Sequence, residues 1–149
     1  MNKTAVIIAG SIITILLSIA IVWYFFFYQK SIEYKPTIVK NQLSVTTADK
    51  KNILMTNIYG RALVTYPENG VGFARTSSYE MSYYPKDDGF IITLLDPNVE
   101  SARTIAEQDF LKILNITATD ACALKVSMGV PFSVNEEYSG KELSFHYCP

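Results

Sequence analysis

The sequence predicts an α+β protein: an N-terminal transmembrane helix, then a small antiparallel-sheet domain with one long covering helix and a short second helix. Three observations predict it. Ala5 to Tyr28 is a 24-residue run without a charge. From Gln42 to about residue 96, apolar and polar residues alternate between turn-forming stretches. From Asp96 to Asn115 the apolar period lengthens to that of a helix.

As a helix rising about 1.5 Å per residue, the apolar run would reach about 36 Å, more than the roughly 30 Å hydrocarbon core of a bilayer. Ser18 to Ala20 offers a small-residue pattern of the kind that ends a cleaved signal. Cleavage there would leave "IVWYFFFY" exposed to water as a new N-terminus, so an uncleaved anchor is the better reading. Trp23 and Tyr24 to Tyr28 then form part of an interfacial aromatic belt. No cysteine precedes Cys122, so the chain has no lipobox cysteine and lipoprotein anchoring is excluded. Gly10, Thr14 and Ser18 recur every four residues and define a possible helix-association face, along which two spans could approach closely as a homo-oligomer.

The resulting organisation is a short cytoplasmic N-terminus (1–4), a signal anchor (5–28), a linker (29–36) ended by Pro36, and an extracytoplasmic domain (37–149). Lysine placement alone argues for the opposite orientation, since Lys3 precedes the span while Lys30, Lys35 and Lys40 follow it. That count loses force when a long domain follows. Cysteine usage, below, decides for the extracytoplasmic side.

Pro36 to Pro149 carries ten Lys/Arg against thirteen Asp/Glu. A weakly acidic domain does not neutralise phosphates, so nucleic acid is excluded as a partner. "RALVTY" and "VGFAR" around "PENG" read as one hairpin, and "SYEMSYY" and "FIITLL" around "PKDDG" as a second. "QLSVTT" and "NILMTNIY" add two earlier strands. In the helix that follows, Ala102, Ile105, Ala106, Phe110, Ile113 and Leu114 form the apolar face, with Glu100, Arg103, Glu107 and Lys112 elsewhere. Asp96-Pro97 suits its start. Thr117 to Asp120 has capping-box spacing for a short helix carrying Cys122. "LKVSMGV" and "KELSFHY" complete the pattern as two strands joined by the loop from Pro131 to Gly140.

The reactive residue types gather at the end: Cys122, the sole histidine His146, and Cys148. A nucleophilic thiol needs a base and an electropositive setting; His146 and Cys148 would share a strand face, but at a chain terminus. A zinc site would have three ligands and lacks Cys-x₂₋₄-Cys spacing. A Cys122–Cys148 disulfide needs only proximity, would tie down the last strand, and places the domain in an oxidising compartment. It is the preferred reading, with His146 a half-exposed strand residue. An enzyme using the Cys122/His146/Cys148 cluster is the alternative.

Asp87-Asp88 and Glu136-Glu137 fit turns and solvated loops. The chain has no Gly-rich phosphate loop, HExxH or GxSxG, so no catalytic residue, metal or cofactor is assigned. Asn115-Ile116-Thr117 is a glycosylation sequon, meaningful in a host that glycosylates. Tyr79, Tyr83 and Tyr84 are a possible binding surface, tyrosine being large, rigid and amphipathic, although it is also a good strand former.

The expectation is a single-pass membrane-anchored protein of the cell envelope that works by binding or assembly with a protein partner. An N-terminal apolar helix before a sheet domain with a late disulfide resembles the layout of pilin subunits, which implies an assembly role. The chain departs from that pattern: no leader ends in Gly ahead of an aromatic residue, and Ile13 to Ile19 holds no acid.

Overall fold

A computed structural model describes residues 18–23, 34–47 and 49–149. The expected span falls outside the described residues except for 18–23, which are helical with exposed side chains. Gly10 and Thr14 of the association face lie outside as well. Among the described residues no helix is long and apolar enough to cross a membrane. The chain divides into two units, Met1–Ile32 and Glu33–Pro149.

The second unit is α+β. A three-stranded antiparallel sheet is built from β1 (Thr37–Val39), β2 (Gln42–Thr46) and β3 (Asn52–Thr56) in that order. Alternation decides its faces: Leu43, Val45 and Met55 are buried, while Gln42, Thr46 and Leu54 stay outside. A five-stranded sheet follows, with β4 (Val64–Thr65), β5 (Val71–Arg75), β6 (Tyr79–Tyr84), β7 (Gly89–Leu94) and β8 (Lys125–Gly129) side by side in chain order. The two expected hairpins are β4–β5 and β6–β7. In the first, the reversal centres on Glu68 and Asn69, both at positive φ, rather than on Asn-Gly. Gly70 N–H then closes the turn on Pro67 C=O at 3.2 Å.

Between β7 and β8 run the long helix α1 (Val99–Leu114) and the short α2 (Ala118–Ala123). This crossover returns the chain in the same direction, so β8 pairs with β7 in parallel, and the sheet is not purely antiparallel. The start of α1 also differs from the sequence expectation. Its cap is Asn98, whose Oδ1 accepts from Ser101 N–H, and Asp96 serves the turn before it by accepting from Asn98 N–H at 2.8 Å. Thr117 and Asp120 do form the expected capping box at α2.

The inner face of the large sheet meets α1 in one core. Phe90 lies at its centre, with ring centroids 4.9 Å from Tyr83, 5.3 Å from Phe110 and 6.2 Å from Phe73. On α1 the buried residues are Val99, Ala102, Ala106, Phe110 and Leu114, together with Glu107. The stripe is rotated from the one expected: Ile105 faces solvent at 43% exposure, and Glu107 takes an inward position at 5%.

That rotation follows from the C-terminal segment. "KELSFHY" does not form a strand. Its only ladder contact is a bridge between Leu143 and Met128. Side chains of α1 bond its Ser144 C=O and His146 N–H, and Phe145 plugs into the core with its ring 5.2 Å from Phe110. The segment packs as a strap across the helix, not as a sixth strand.

Candidate functional site

Cys122, at the end of α2, is bonded to Cys148, with Cα atoms 5.6 Å apart. Both sulfurs are consumed, so neither is a thiolate available as nucleophile or ligand. The capping box fixes α2 and hence Cys122, while the strap carries Cys148. Among the described residues no cluster of three His, Cys, Asp or Glu side chains could hold a metal.

His146 is held differently from the strand residue expected. Its backbone N–H donates to Glu107 Oε1 at 2.8 Å, its Nδ1 lies 3.1 Å from Glu107 Oε2, and its Nε2 lies 3.0 Å from Glu100 Oε2. Arg103 completes the clasp. Its guanidinium donates to Ser144 C=O, and its Nε sits 3.2 Å from Glu107 Oε1. That Nε contact is a charge pairing rather than a hydrogen bond, because the N–H is not aimed at the oxygen. Glu100, Arg103 and Glu107 stand three and four residues apart, which puts them on one helical flank. The sequence displays that spacing. What it hides is that a strap packs over Arg103 and Glu107, while Glu100 stays half exposed at its edge. Burial, and then the nearby Glu107 carboxylate, push the Tyr147 hydroxyl up from its usual value.

The tyrosines divide. Tyr79 and Tyr83 point inward and are buried, so they do not form a binding surface. Strand alternation sends them, with Met81, to the core face. Each buried hydroxyl finds a carboxylate, Tyr79 donating to Asp109 and Tyr83 to Asp88, both at 2.6 Å. Asp88 also accepts from Thr46 N–H at 3.2 Å and so ties the small sheet to the β6–β7 turn. Sequence reasoning took Asp88 for an ordinary turn residue. Burial, and then the Asp88 charge, raise neighbouring Tyr59 to about 12.

Tyr84 is on the outer face of the large sheet. Its ring stacks on Tyr66 at 5.8 Å, and the pair lies over Gly70 and Gly72, where a Cβ would come within 3.0 Å of Tyr84 Cδ1 and 2.6 Å of Val64 Cγ1 respectively. Beside this stack a groove of about 490 Å³ runs across β6, β7 and β8. Tyr84 and Ile91 give it a largely apolar floor, with Ile91 44% exposed. Lys86, Lys125 and Glu142 stand at the rim. Lys125 is positioned by donating to Asp87 C=O at 2.9 Å, and Lys86 by Glu68 at 3.5 Å. A groove of this volume and lining accommodates a peptide side chain or a small ligand. Of the three tyrosines proposed from sequence, only Tyr84 belongs to it. Ile91 carried no signal, because an outward-facing apolar residue in a strand looks like a core residue.

Comparison with protein-family models, with curated proteins and with solved structures found no match to the chain.

Proposed function

We propose that this chain is a single-pass membrane protein that displays its C-terminal α+β domain on the extracytoplasmic side and works by binding a protein partner in the envelope. The observation that carries the reading is the Cys122–Cys148 bond, because a structural disulfide persists in an oxidising compartment. The uncharged run from Ala5 to Tyr28 supplies the anchor. Its small-residue face at Gly10, Thr14 and Ser18 offers a route to self-association, with the partner engaged by the outer-face groove at Tyr84 and Ile91.

A reporter active only outside the cytoplasm, fused after Pro149, tests the orientation: activity is expected, and activity of a cytoplasm-dependent reporter alone would reverse it. Binding is tested by crosslinking in native membranes with the wild type and with Ile91→Glu. Since Ile91 is exposed, the variant should fold normally and lose its crosslinked partner. Retention of the same partner by a folded Ile91→Glu chain would rule out the groove.

A further inference from the structure

The second unit carries another cleft, on the opposite flank of α1 from the strap. It has a volume of about 500 Å³ and lies between the 3₁₀ turn Ile58–Arg61, the end of β5, the start of β6 and the last turns of α1. Three cations line it: Arg61, Arg75 and Lys112. The one carboxylate in its lining, Asp109, already accepts the Tyr79 hydroxyl. Among the described residues Arg61 and Lys112 form no ion pair or hydrogen bond, and Arg75 meets Glu80 at 3.8 Å. Elsewhere in the unit Lys51, Lys86 and Arg103 each have an acidic partner. Lys40, Lys50, Lys125 and Lys141 have no acidic partner among the described residues either, but they are scattered, whereas this cleft brings three cations to one lining in a domain that is acidic as a whole.

We infer that this cleft binds an acidic peptide segment of a protein partner, with carboxylates reaching Arg61, Arg75 and Lys112 and an aliphatic side chain resting on Leu63 and Ile113. Charge complementarity selects the anion. The surroundings select a peptide. Leu63, 65% exposed, and half-buried Ile113 give an apolar ledge that a bare anion would leave uncovered. A phosphate site is typically cradled by backbone N–H groups at a helix N-terminus or in a nest. Here the nearest helix end is the C-terminal one, which offers no free backbone N–H groups to build such a cradle. Long side chains from three separate elements suit carboxylates spread along an extended chain. The site is separate from the Tyr84 groove, and the inference stands whether or not the domain lies outside the cytoplasm.

The test uses the full chain, disulfide intact, in a non-ionic detergent. Fluorescence anisotropy follows a fluorescein-labelled Glu-Glu-Leu-Glu-Glu peptide, with an all-glutamate peptide of equal length as comparison. Saturable binding is expected, tighter for the leucine-containing peptide and weakening as salt rises. The double variant Arg61→Gln/Lys112→Gln should bind about tenfold more weakly, each rim charge contributing a few-fold. Lys50→Gln/Lys51→Gln, which removes equal charge elsewhere, should bind normally. The thermal midpoint of the Arg61/Lys112 variant should match wild type, since neither residue holds the fold. The inference is overturned by absence of saturable binding, by equal loss in both double variants, or by displacement of the peptide with inorganic phosphate at matched ionic strength, which would assign the cleft to phosphate.

Discussion

Replacing Glu107 with glutamine removes one charge from the clasp and little else, since the side chains are nearly the same size. The amide oxygen can still accept from His146 N–H, but a charge-assisted bond becomes a neutral one, a loss of about 1 kcal/mol. Arg103 loses its counter-charge at 3.2 Å while its side chain remains only 15% exposed. Breaking a buried pair from one side costs about 3–5 kcal/mol. Glu100, 3.8 Å from the same guanidinium, recovers part of that, leaving about 2 kcal/mol. The sum is about 3 kcal/mol. For a unit the size of Glu33–Pro149, an unfolding entropy of about 2 cal/mol/K per residue converts this to a fall of about 12 °C in Tm. Thermal unfolding followed by near-UV circular dichroism reads the shift. Hydrogen exchange at the His146 amide reads the local effect, which should be lost protection while the β6–β7 amides stay protected. A Tm within about 3 °C of wild type, with His146 still protected, would refute the clasp as the element that seats the strap.

Three further outcomes follow from the same geometry. Cys148→Ser opens a loop of sequence separation 26 and should destabilise the domain by about 3.5 kcal/mol on the chain-entropy model, measured by urea unfolding against the unreduced wild type. Gly72→Ala places a Cβ 2.6 Å from Val64 Cγ1 and should cost about 2 kcal/mol by displacing β4, a change that chemical shifts at Val64 and Tyr66 would report. Tyr59 is raised to about 12, and Tyr79, Tyr83 and Tyr147 are raised further, mainly by burial. Their protonated forms are favoured by the fold, so their contribution is complete below the unfolded value near 10 and is lost as pH climbs through the folded values. Stability should therefore be flat with respect to these groups up to about pH 10 and fall above it. Ultraviolet titration should show tyrosines that ionise together with unfolding.

Both hairpins, both helices and the disulfide pairing were legible because each rests on a local signal: turn residues, capping spacing, a change of period, or two cysteines in a small domain. The parallel pairing of β8 was not, since it depends on where a 16-residue helix delivers the chain after crossing the sheet. The last segment misled for a related reason. "KELSFHY" has strand composition, yet the edge it would extend is contacted only at Met128, while Arg103 and Glu107 satisfy its Ser144 and His146 backbone groups from the helix. Alternation in "YEMSYY" puts Tyr79 and Tyr83 on one face and Tyr84 on the other. Which side is core could not be read from three tyrosines, because both faces of β6 carry the same residue type.

The most direct test of a disulfide-tied domain displayed outside the reducing interior is the state of Cys122 and Cys148 in the living host. Cells are treated with a membrane-permeant alkylating agent before lysis, and the membrane fraction is digested without reductant and weighed by mass spectrometry. A Cys122–Cys148 linked peptide with neither thiol alkylated is the predicted result. Two alkylated cysteines in the native chain would contradict it, and with it the extracytoplasmic placement.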